Sequence, residues 1–522
     1  MTTCYIKSAV STTDSSLTVD ILLFSILHSN AIMASRTLIR IPFRPQPHLF
    51  SHRAPTLCSQ QRLLSLRSLN ETKRGTLIHP IPFSPPLTQP DRERVLILGS
   101  GWGGFGVARS LDTKHYQPIL VTPRTYFVFT PLLAGTAVGT LEFRTAMESS
   151  HSIKGVEVIR GWADAVDIAE KSVHVESVGD EAVKFDLGYD KLIIAVGSYA
   201  QTFGIPGVKE HAFFLKDVGD ARKIRSRVLE RFEQASLPTI SEQRRKELLN
   251  FAIVGGGPTG VEFAAELHDL LKDDLVYVYP GLVEAAKITV YDVAPSILGM
   301  FDKKLQAYAG NVFRRQHIDV RTSHHVLEVQ ADAIVTKEDG RVPVGAVVWS
   351  TGLATSPFVA GQLGKPFLLH RDYTNQPTEM KIVKAPRGGQ IQVDSHLRVL
   401  AAPTEGGAPT PLDDIFALGD CAAVTDEHLP ATAQVANQQA NWLGKSLNKA
   451  ARRKEHGLAD VADEKEFRFR SLAVMAYLGG WKAITQTDGA DVKGRMAWLL
   501  WRTAYMTKSV SWRNRVLIPT YW

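Results

Sequence analysis

A chain of 522 residues, 44% hydrophobic and 22% charged, is too long for one hydrophobic core and too apolar for a disordered tail, so two or three folded domains are expected. The net charge of +7 would suggest a polyanionic partner, yet residues 1–92 carry ten Lys/Arg against four Asp/Glu, so the excess belongs to the leader and a nucleic-acid partner gains no support. Of three cysteines only Cys421 lies beyond that leader, which excludes a disulfide framework and a C-x-x-C redox pair in the body.

The leader comes first. Residues 21–70 contain no Asp or Glu but hold Arg36, Arg40, Arg44, Arg53, Arg62 and Arg67 among frequent serines, the composition of an organelle transit peptide. The apolar run from Ile21 to Leu27 is too short to span a membrane. No basic cluster precedes it, as a secretory signal would need, and Met33 is a second candidate start. Residues 75–90 are proline-rich and read as a linker.

From Arg94 onward short apolar strands alternate with helical stretches, the pattern of parallel α/β sheets. Val95-Leu96-Ile97-Leu98 runs into Gly99-Ser100-Gly101-Trp102-Gly103-Gly104, a G-x-G-x-x-G turn. In such a turn Gly99 makes the tight bend, Gly101 lets the backbone approach a pyrophosphate and Gly104 lets helix and strand pack closely. A further strand from Lys191 ends at Gly197. Residues 220–249 are strongly charged at helical spacing and read as a solvated helix.

Phe251-Ala252-Ile253-Val254 then leads into a second loop, Gly255-Gly256-Gly257-Pro258-Thr259-Gly260, with the same glycine roles at Gly255, Gly257 and Gly260. Ile288-Thr289-Val290-Tyr291-Asp292 ends in an acid that can accept from a ribose 2′-OH and repel a 2′-phosphate, favouring NADH. Asp292 lies 32 residues past Gly260 rather than the usual ~20, a difference the charged insert around Lys272-Asp273-Asp274 can absorb. The strand from Val347 ends at Gly352. Residues 361–390 and 401–412 are polar and Gly/Pro-rich, as surface loops are. Ile415-Phe416-Ala417-Leu418-Gly419-Asp420 closes the series with a Gly-Asp. His324-His325 is a bare pair without metal-ligand spacing, and no calcium loop is present. Two dinucleotide loops in one chain point to electron transfer between two bound nucleotides.

Three further stretches carry a resemblance. They are Thr122-Pro123-Arg124-Thr125-Tyr126-Phe127-Val128-Phe129-Thr130-Pro131-Leu132-Leu133, Pro430-Ala431-Thr432-Ala433-Gln434-Val435-Ala436 and Ala476-Tyr477-Leu478-Gly479-Gly480-Trp481-Lys482-Ala483. With the aromatic, basic stretch from Trp498 to Arg515, they make the chain resemble the type II, or alternative, NADH:quinone oxidoreductases of mitochondria from Arg94 to Trp522. That resemblance implies an α/β fold with two Rossmann-like dinucleotide-binding domains, for FAD and for NADH. It also implies NADH oxidation and ubiquinone reduction in the respiratory chain without proton pumping. FAD would meet Gly99, Gly101, Gly104, Arg124, Thr130, Pro131, Gly197, Gly419, Asp420, Ala433 and Gln434. NADH would meet Gly255, Gly257, Gly260, Glu262, Asp292 and Gly352. Quinone would meet Gln434, Asn437, Tyr477, Gly480 and Trp481. The FAD unit departs from pattern in having Thr122-Pro123-Arg124 where an acid is usual, which leaves Arg124 to serve the adenosine end. Asn437 stands where relatives often carry histidine. No catalytic triad is expected, because the flavin carries the chemistry.

The tail from Lys493 to Trp522 has six basic and no acidic residues. On one continuous helix Trp498, Trp501, Tyr505 and Trp512 would form a stripe beside Arg495, Arg502 and Arg513. This suits monotopic docking on the inner membrane surface, the competing uses being packing on the body or on a second copy in a homodimer. The expected layout is 1–92 leader and linker, 93–215 and 395–445 the two parts of the FAD-binding domain, 216–394 the NADH-binding domain and 446–522 the membrane-docking domain. Sulfide:quinone and disulfide reductases need reactive cysteines that the body lacks. The reading from another class is an apoptosis-inducing-factor-like or ferroptosis-suppressor-like flavoprotein in which NADH binding serves signalling.

Overall fold

The computed structural model describes residues 92–369, 378–425, 427–457, 465–487 and 489–521. The transit-peptide expectation lies outside the described residues.

Strand β1 (Glu93–Leu98) leads into helix α1 (Trp102–Ser110), then β2 (Tyr116–Thr122), β3 (Glu157–Asp167) and β4 (Lys191–Ile194). β2 and β4 flank β1 in parallel, with Ile97 opposite Leu120 on one side and Ile193 on the other. The chain thus runs outward from β1 to β2 and β3, then returns to lay β4 on the other side of β1. Such a reversal opens a crevice beyond the carboxyl ends of the two strands it separates, here β1 and β4. Val95 to Leu98 and Leu192 to Ile194 are buried, which is why these strands read as unbroken apolar runs instead of alternating ones.

The second unit repeats this plan. It comprises α2 (Val218–Ala235), β5 (Asn250–Val254), α3 (Pro258–Asp269), β6 (Lys287–Asp292), β7 (Asp319–Thr322) and β8 (Ala346–Trp349). β5 lies between β6 and β8, all parallel, so the chain again reverses, at β5 and β8. The charged stretch expected as a solvated helix is amphipathic: α2 buries Val218, Ala221, Ile224, Val228, Phe232 and Ala235, three or four residues apart. Asp217 caps its start.

The chain then returns to the first sheet through β9 (Thr410–Ala417), parallel to β4, and α4 (Ala433–Glu455). α4 packs tightly on α1: a Cβ at Gly444 would lie 1.9 Å from Ser110 Oγ, and one at Gly106 would lie 2.8 Å from Ala440 Cβ. The stretches expected as loops in 361–390 and 401–412 carry strands Phe367–Leu369, Thr378–Ile382 and Arg398–Pro403, antiparallel on the β9 edge. Their Gly and Pro residues mark turns, while the alternation of buried Met380 and Ile382 with exposed Glu379 and Lys381 makes the strand.

A small meander of β10 (Val474–Tyr477), β11 (Ala483–Gln486) and β12 (Asp491–Gly494) precedes α5 (Arg495–Lys508) and α6 (Trp512–Tyr521). The tail is therefore two helices, and the expected single stripe is divided. Trp501 turns inward at 4% exposure, whereas Trp512 is 78% exposed. Buried Glu148 fixes α6 by accepting from Asn514 Nδ2 at 2.8 Å and from the Ser511 N–H at 3.1 Å.

Candidate functional site

The two glycine loops have matching internal geometry. Gly99 has φ +101° and a Cβ on it would fall 2.5 Å from Ala195 O, while one on Gly104 would fall 1.8 Å from Gly99 O. Gly255 has φ +114° and a Cβ would fall 2.8 Å from Ser350 O, while one on Gly260 would fall 2.0 Å from Gly255 O. The outer glycines of each loop are thus demanded by the chain's own backbone. The middle ones are not: Gly101 and Gly257 have ordinary extended backbone, and a Cβ on either would meet nothing within 4 Å. Both open onto the first turn of a helix whose N-terminal N–H groups no side chain caps. A site with free N–H donors and space at the middle glycine is what a dinucleotide pyrophosphate occupies. The residues present therefore fit a dinucleotide at each loop.

Around the first loop, Gly197 (φ +66°) follows β4 and Gly419 (φ +74°) follows β9. The Gly419 N–H donates to Gln439 Oε1 at 2.8 Å. Asp420 accepts from Ser198 Oγ at 2.8 Å, and Ser198 accepts from Lys216 Nζ. Arg124 ion-pairs with Asp217, which also accepts from Tyr126 Oη at 3.0 Å. Thr130 Oγ1 accepts from Trp102 Nε1 at 3.0 Å, and Pro131 continues the short turn Thr130–Leu132, which ties this segment to the loop. Ala433 opens α4 behind the cap Thr432.

Around the second loop, Asp292 holds the turn itself: Oδ2 accepts from the Gly256 N–H and Oδ1 from the Ala294 N–H at 2.7 Å. Gly352 (φ +49°) follows β8 beside Phe203. Glu262 is buried in α3, and its Oε1 accepts from the Tyr477 N–H at 3.2 Å and from Trp501 Nε1 at 3.3 Å. Burial pushes this carboxyl up to about 8 and that of Glu266, which accepts from Thr140 Oγ1, up to about 7. Asp269 accepts from Tyr477 Oη at 2.5 Å and from the Gly480 N–H at 3.0 Å. Glu262, Glu266 and Asp269 lie on one face of α3, the face the C-terminal meander covers. The sequence signal was there, acids at i, i+4 and i+7 in an otherwise apolar helix, yet only Glu262 was singled out, and with the nucleotide loop.

The proposed quinone residues divide into two places. Tyr477 is buried and stacks on Trp501, ring centroids 5.3 Å apart. Gly480 and Trp481 both have left-handed backbone, φ +56° and +63°. For tryptophan this is strained, and Asp269's hold on the Gly480 N–H keeps the turn in place. Trp481 is 59% exposed and stacks on Trp498 at 5.0 Å. Gln434 donates to Ala473 O and accepts from the Leu472 N–H, tying α4 to the start of the meander, and Asn437 is exposed on α4. Sequence reading missed Gln439 and Lys216, which single-sequence patterns do not mark. Aromatic rings join the first loop to the tail, Trp102 to Phe129 at 5.2 Å, Phe129 to Tyr505 at 6.1 Å and Tyr505 to Trp501 at 5.0 Å. Cys421 is buried and its thiol is pushed up to about 11, unlike a reactive cysteine.

The profile of the pyridine nucleotide-disulphide oxidoreductase family matches residues 93–440, and that of the NDH2 C-terminal domain matches residues 473–522. A probable NADH dehydrogenase of Dictyostelium discoideum is 37% identical, over 83% of this chain and 89% of the relative. The mitochondrial external alternative NAD(P)H-ubiquinone oxidoreductase B4 of Arabidopsis thaliana is 35% identical, over 83% and 87%. Among solved structures, NDH2 from Plasmodium falciparum in complex with NADH matches with a TM-score of 0.72 at 25% identity, over 82% of this chain and 97% of that one. These relatives do not favour the apoptosis-inducing-factor-like alternative.

Proposed function

Because the chain belongs to the pyridine nucleotide-disulphide oxidoreductase family, among the type II NAD(P)H-ubiquinone oxidoreductases, we propose that it is a flavoprotein that oxidises NADH and reduces ubiquinone without moving protons across the membrane. The net reaction takes NADH, a proton and quinone to NAD⁺ and quinol. One observation carries the reading: two equivalent cradles stand in one compact unit, each with a middle glycine that the protein's own packing does not require. When bound, FAD supplies the hydride-accepting and electron-donating chemistry.

The chain's residues place and insulate the partners. Gly99, Gly101 and Gly104 receive the FAD pyrophosphate at α1. Gly197, Thr130, Pro131, Gly419, Asp420, Ala433 and Gln434 bound the crevice, and Arg124 serves its adenosine end. Gly255, Gly257, Gly260 and Gly352 do the same for NADH, with Asp292 at the ribose. Glu262 acts from beneath α3, not on the nucleotide directly. Tyr477, Gly480 and Trp481 shape the quinone approach, Gln434 contributes by holding residues 472 and 473, and Asn437 flanks them. Purified protein that is yellow, bleaches with NADH and recolours with a soluble quinone is the expected result. A colourless protein that cannot take up flavin would overturn the reading.

Asp292→Asn should retain the Gly256 contact through its carbonyl oxygen, give up the one from the Ala294 N–H and lose the charge that repels a 2′-phosphate. The ratio of kcat/KM for NADH over NADPH is expected to fall by about tenfold, the effect of ~1.4 kcal/mol. An unchanged ratio would remove Asp292 from nucleotide selection.

We place the protein in the mitochondrion, on the inner membrane surface. No helix among the described residues is long and apolar enough to cross a membrane. Trp481, Met496, Leu499, Leu500, Trp512 and Val516 are exposed, with Arg495, Lys508 and Arg513 on the same two helices or next to them. Each fully buried leucine contributes about 1.5–3 kcal/mol. The pair Leu499→Glu and Leu500→Glu is therefore expected to weaken flotation with anionic vesicles at least about tenfold while flavin content stays constant. Unchanged flotation would show that this face is not the anchor, and a smaller particle in solution would assign it to a homodimer. Truncation after Asp491 is a poorer test, because it strips Trp501 from Glu262 and exposes the core.

A further inference from the structure

Lys216 precedes α2, and its ammonium reaches the carboxyl end of β4. Nζ donates to Ser198 O at 2.9 Å and to Ser198 Oγ at 3.0 Å, and Ser198 Oγ donates to Asp420 Oδ2 at 2.8 Å. The three residues come from separate segments, one after Gly197, one after Gly419 and one ahead of α2, and they meet where the first sheet reverses. An ammonium has three N–H donors. Among the described residues the third has no acceptor, and no carboxylate lies within ion-pair distance of Nζ. Burial works against this charge, Asp420 supports it and Arg124 opposes it. A half-buried cation without a direct counter-ion is open to a partner from outside the chain.

The phosphates belong at the other side of the crevice, on the N-terminus of α1, and Asp420, one hydrogen bond beyond Ser198, would repel a phosphate here. A neutral ring that gains electron density on reduction suits the place. We propose that Lys216 holds a fixed positive charge beside the flavin ring, raises its reduction potential and so favours its reduction by NADH. This rests on the flavin reading above. A charge beside a cofactor's ring is one of the means by which a protein tunes its potential.

The test is a spectroscopic redox titration of flavin-loaded protein against a reference dye. Lys216→Met is expected to lower the reduced-to-oxidised ratio at fixed potential at least tenfold, about 30 mV for a two-electron couple. FAD affinity should stay near that of the parent, and Lys216→Arg should restore most of the loss. An unchanged midpoint overturns the proposal. So does weakened FAD binding at an unchanged midpoint, which would make Lys216 a phosphate anchor. If Lys216→Met does not keep flavin, Lys216→Gln, which can still donate to Ser198 O, gives the same readout. Failure of the parent to take up flavin would strike the flavin reading instead.

Discussion

Gly257→Val is expected to give a folded, yellow protein that no longer oxidises NADH, and Gly101→Val a folded, colourless one. Both positions have extended backbone that valine adopts without strain, and a Cβ at either meets no protein atom within 4 Å. The branched side chain would therefore fill only the space in front of the helix N-terminus. Charge-assisted hydrogen bonds from backbone N–H groups contribute about 1.5–3 kcal/mol each, so losing two weakens a pyrophosphate by about a hundredfold or more. The outer glycines give the contrast. A side chain at Gly104 or Gly260 would strike the carbonyl oxygen of Gly99 or Gly255 near 2 Å, so those variants should fail to fold. Thermal unfolding monitors folding, the 450-nm region monitors flavin, and equilibrium titration monitors NADH. A Gly257→Val protein that binds NADH like the parent would show that this loop is not a nucleotide site.

The second large effect concerns stability against pH. The Glu262 carboxyl titrates near 4.5 when unfolded and at about 8 when folded, burial being the main cause. Below the unfolded value it is protonated in both states and costs nothing in charge burial. As pH rises through this window the unfolded chain releases its proton and the folded chain keeps it, so stability falls by about 1.4 kcal/mol per pH unit. Glu266, Asp269, Tyr477, Tyr505 and Arg502 surround the group, and Glu266 adds a slope of the same sign up to about 7. Glu262→Gln keeps an oxygen for the Tyr477 N–H and Trp501 Nε1 but cannot ionise. Its urea midpoint should change less between pH 5 and pH 8 than that of the parent and be higher at pH 8. Glu262→Ala orphans both donors and should cost about 1–3 kcal/mol for each at every pH. An unaltered slope in Glu262→Gln would mean that Glu262 is ionised in the fold.

How much of this was legible in the sequence depended on whether the cause was local. The glycine loops were plain because strand, turn and helix follow one another in the chain, and Val95 to Leu98 and Phe251 to Val254 announced buried parallel strands. The late Gly419-Asp420 was legible only in register with those loops. The strands Thr378–Ile382 and Arg398–Pro403 were obscured by their turns. The tail's stripe assumed one helix, and the break before Trp512 moved Trp512 and Arg513 off it. Lys216, Gln439 and the ladder Glu266–Asp269 meet their partners on other elements, Ser198 for Lys216, Gly419 for Gln439, and Thr140 and Tyr477 for the ladder. No spacing rule reaches that far.

The interleaving of the two units has a consequence for biogenesis. The strands of the second cradle, β5, β6 and β8, are all in hand once the chain has passed Gly352, and only the outer face of α3 still awaits Tyr477 and Trp501. The first needs β4, then β9, then Ala433 at the start of α4, and its Trp102 is ringed to Tyr505 through Phe129. A polypeptide made or threaded amino end first must keep the Gly99 turn waiting until those late pieces arrive, since such distant contacts carry the largest loop-closure cost. Maturation should then proceed in a fixed order, with the second sheet formed early and pigment acquired last.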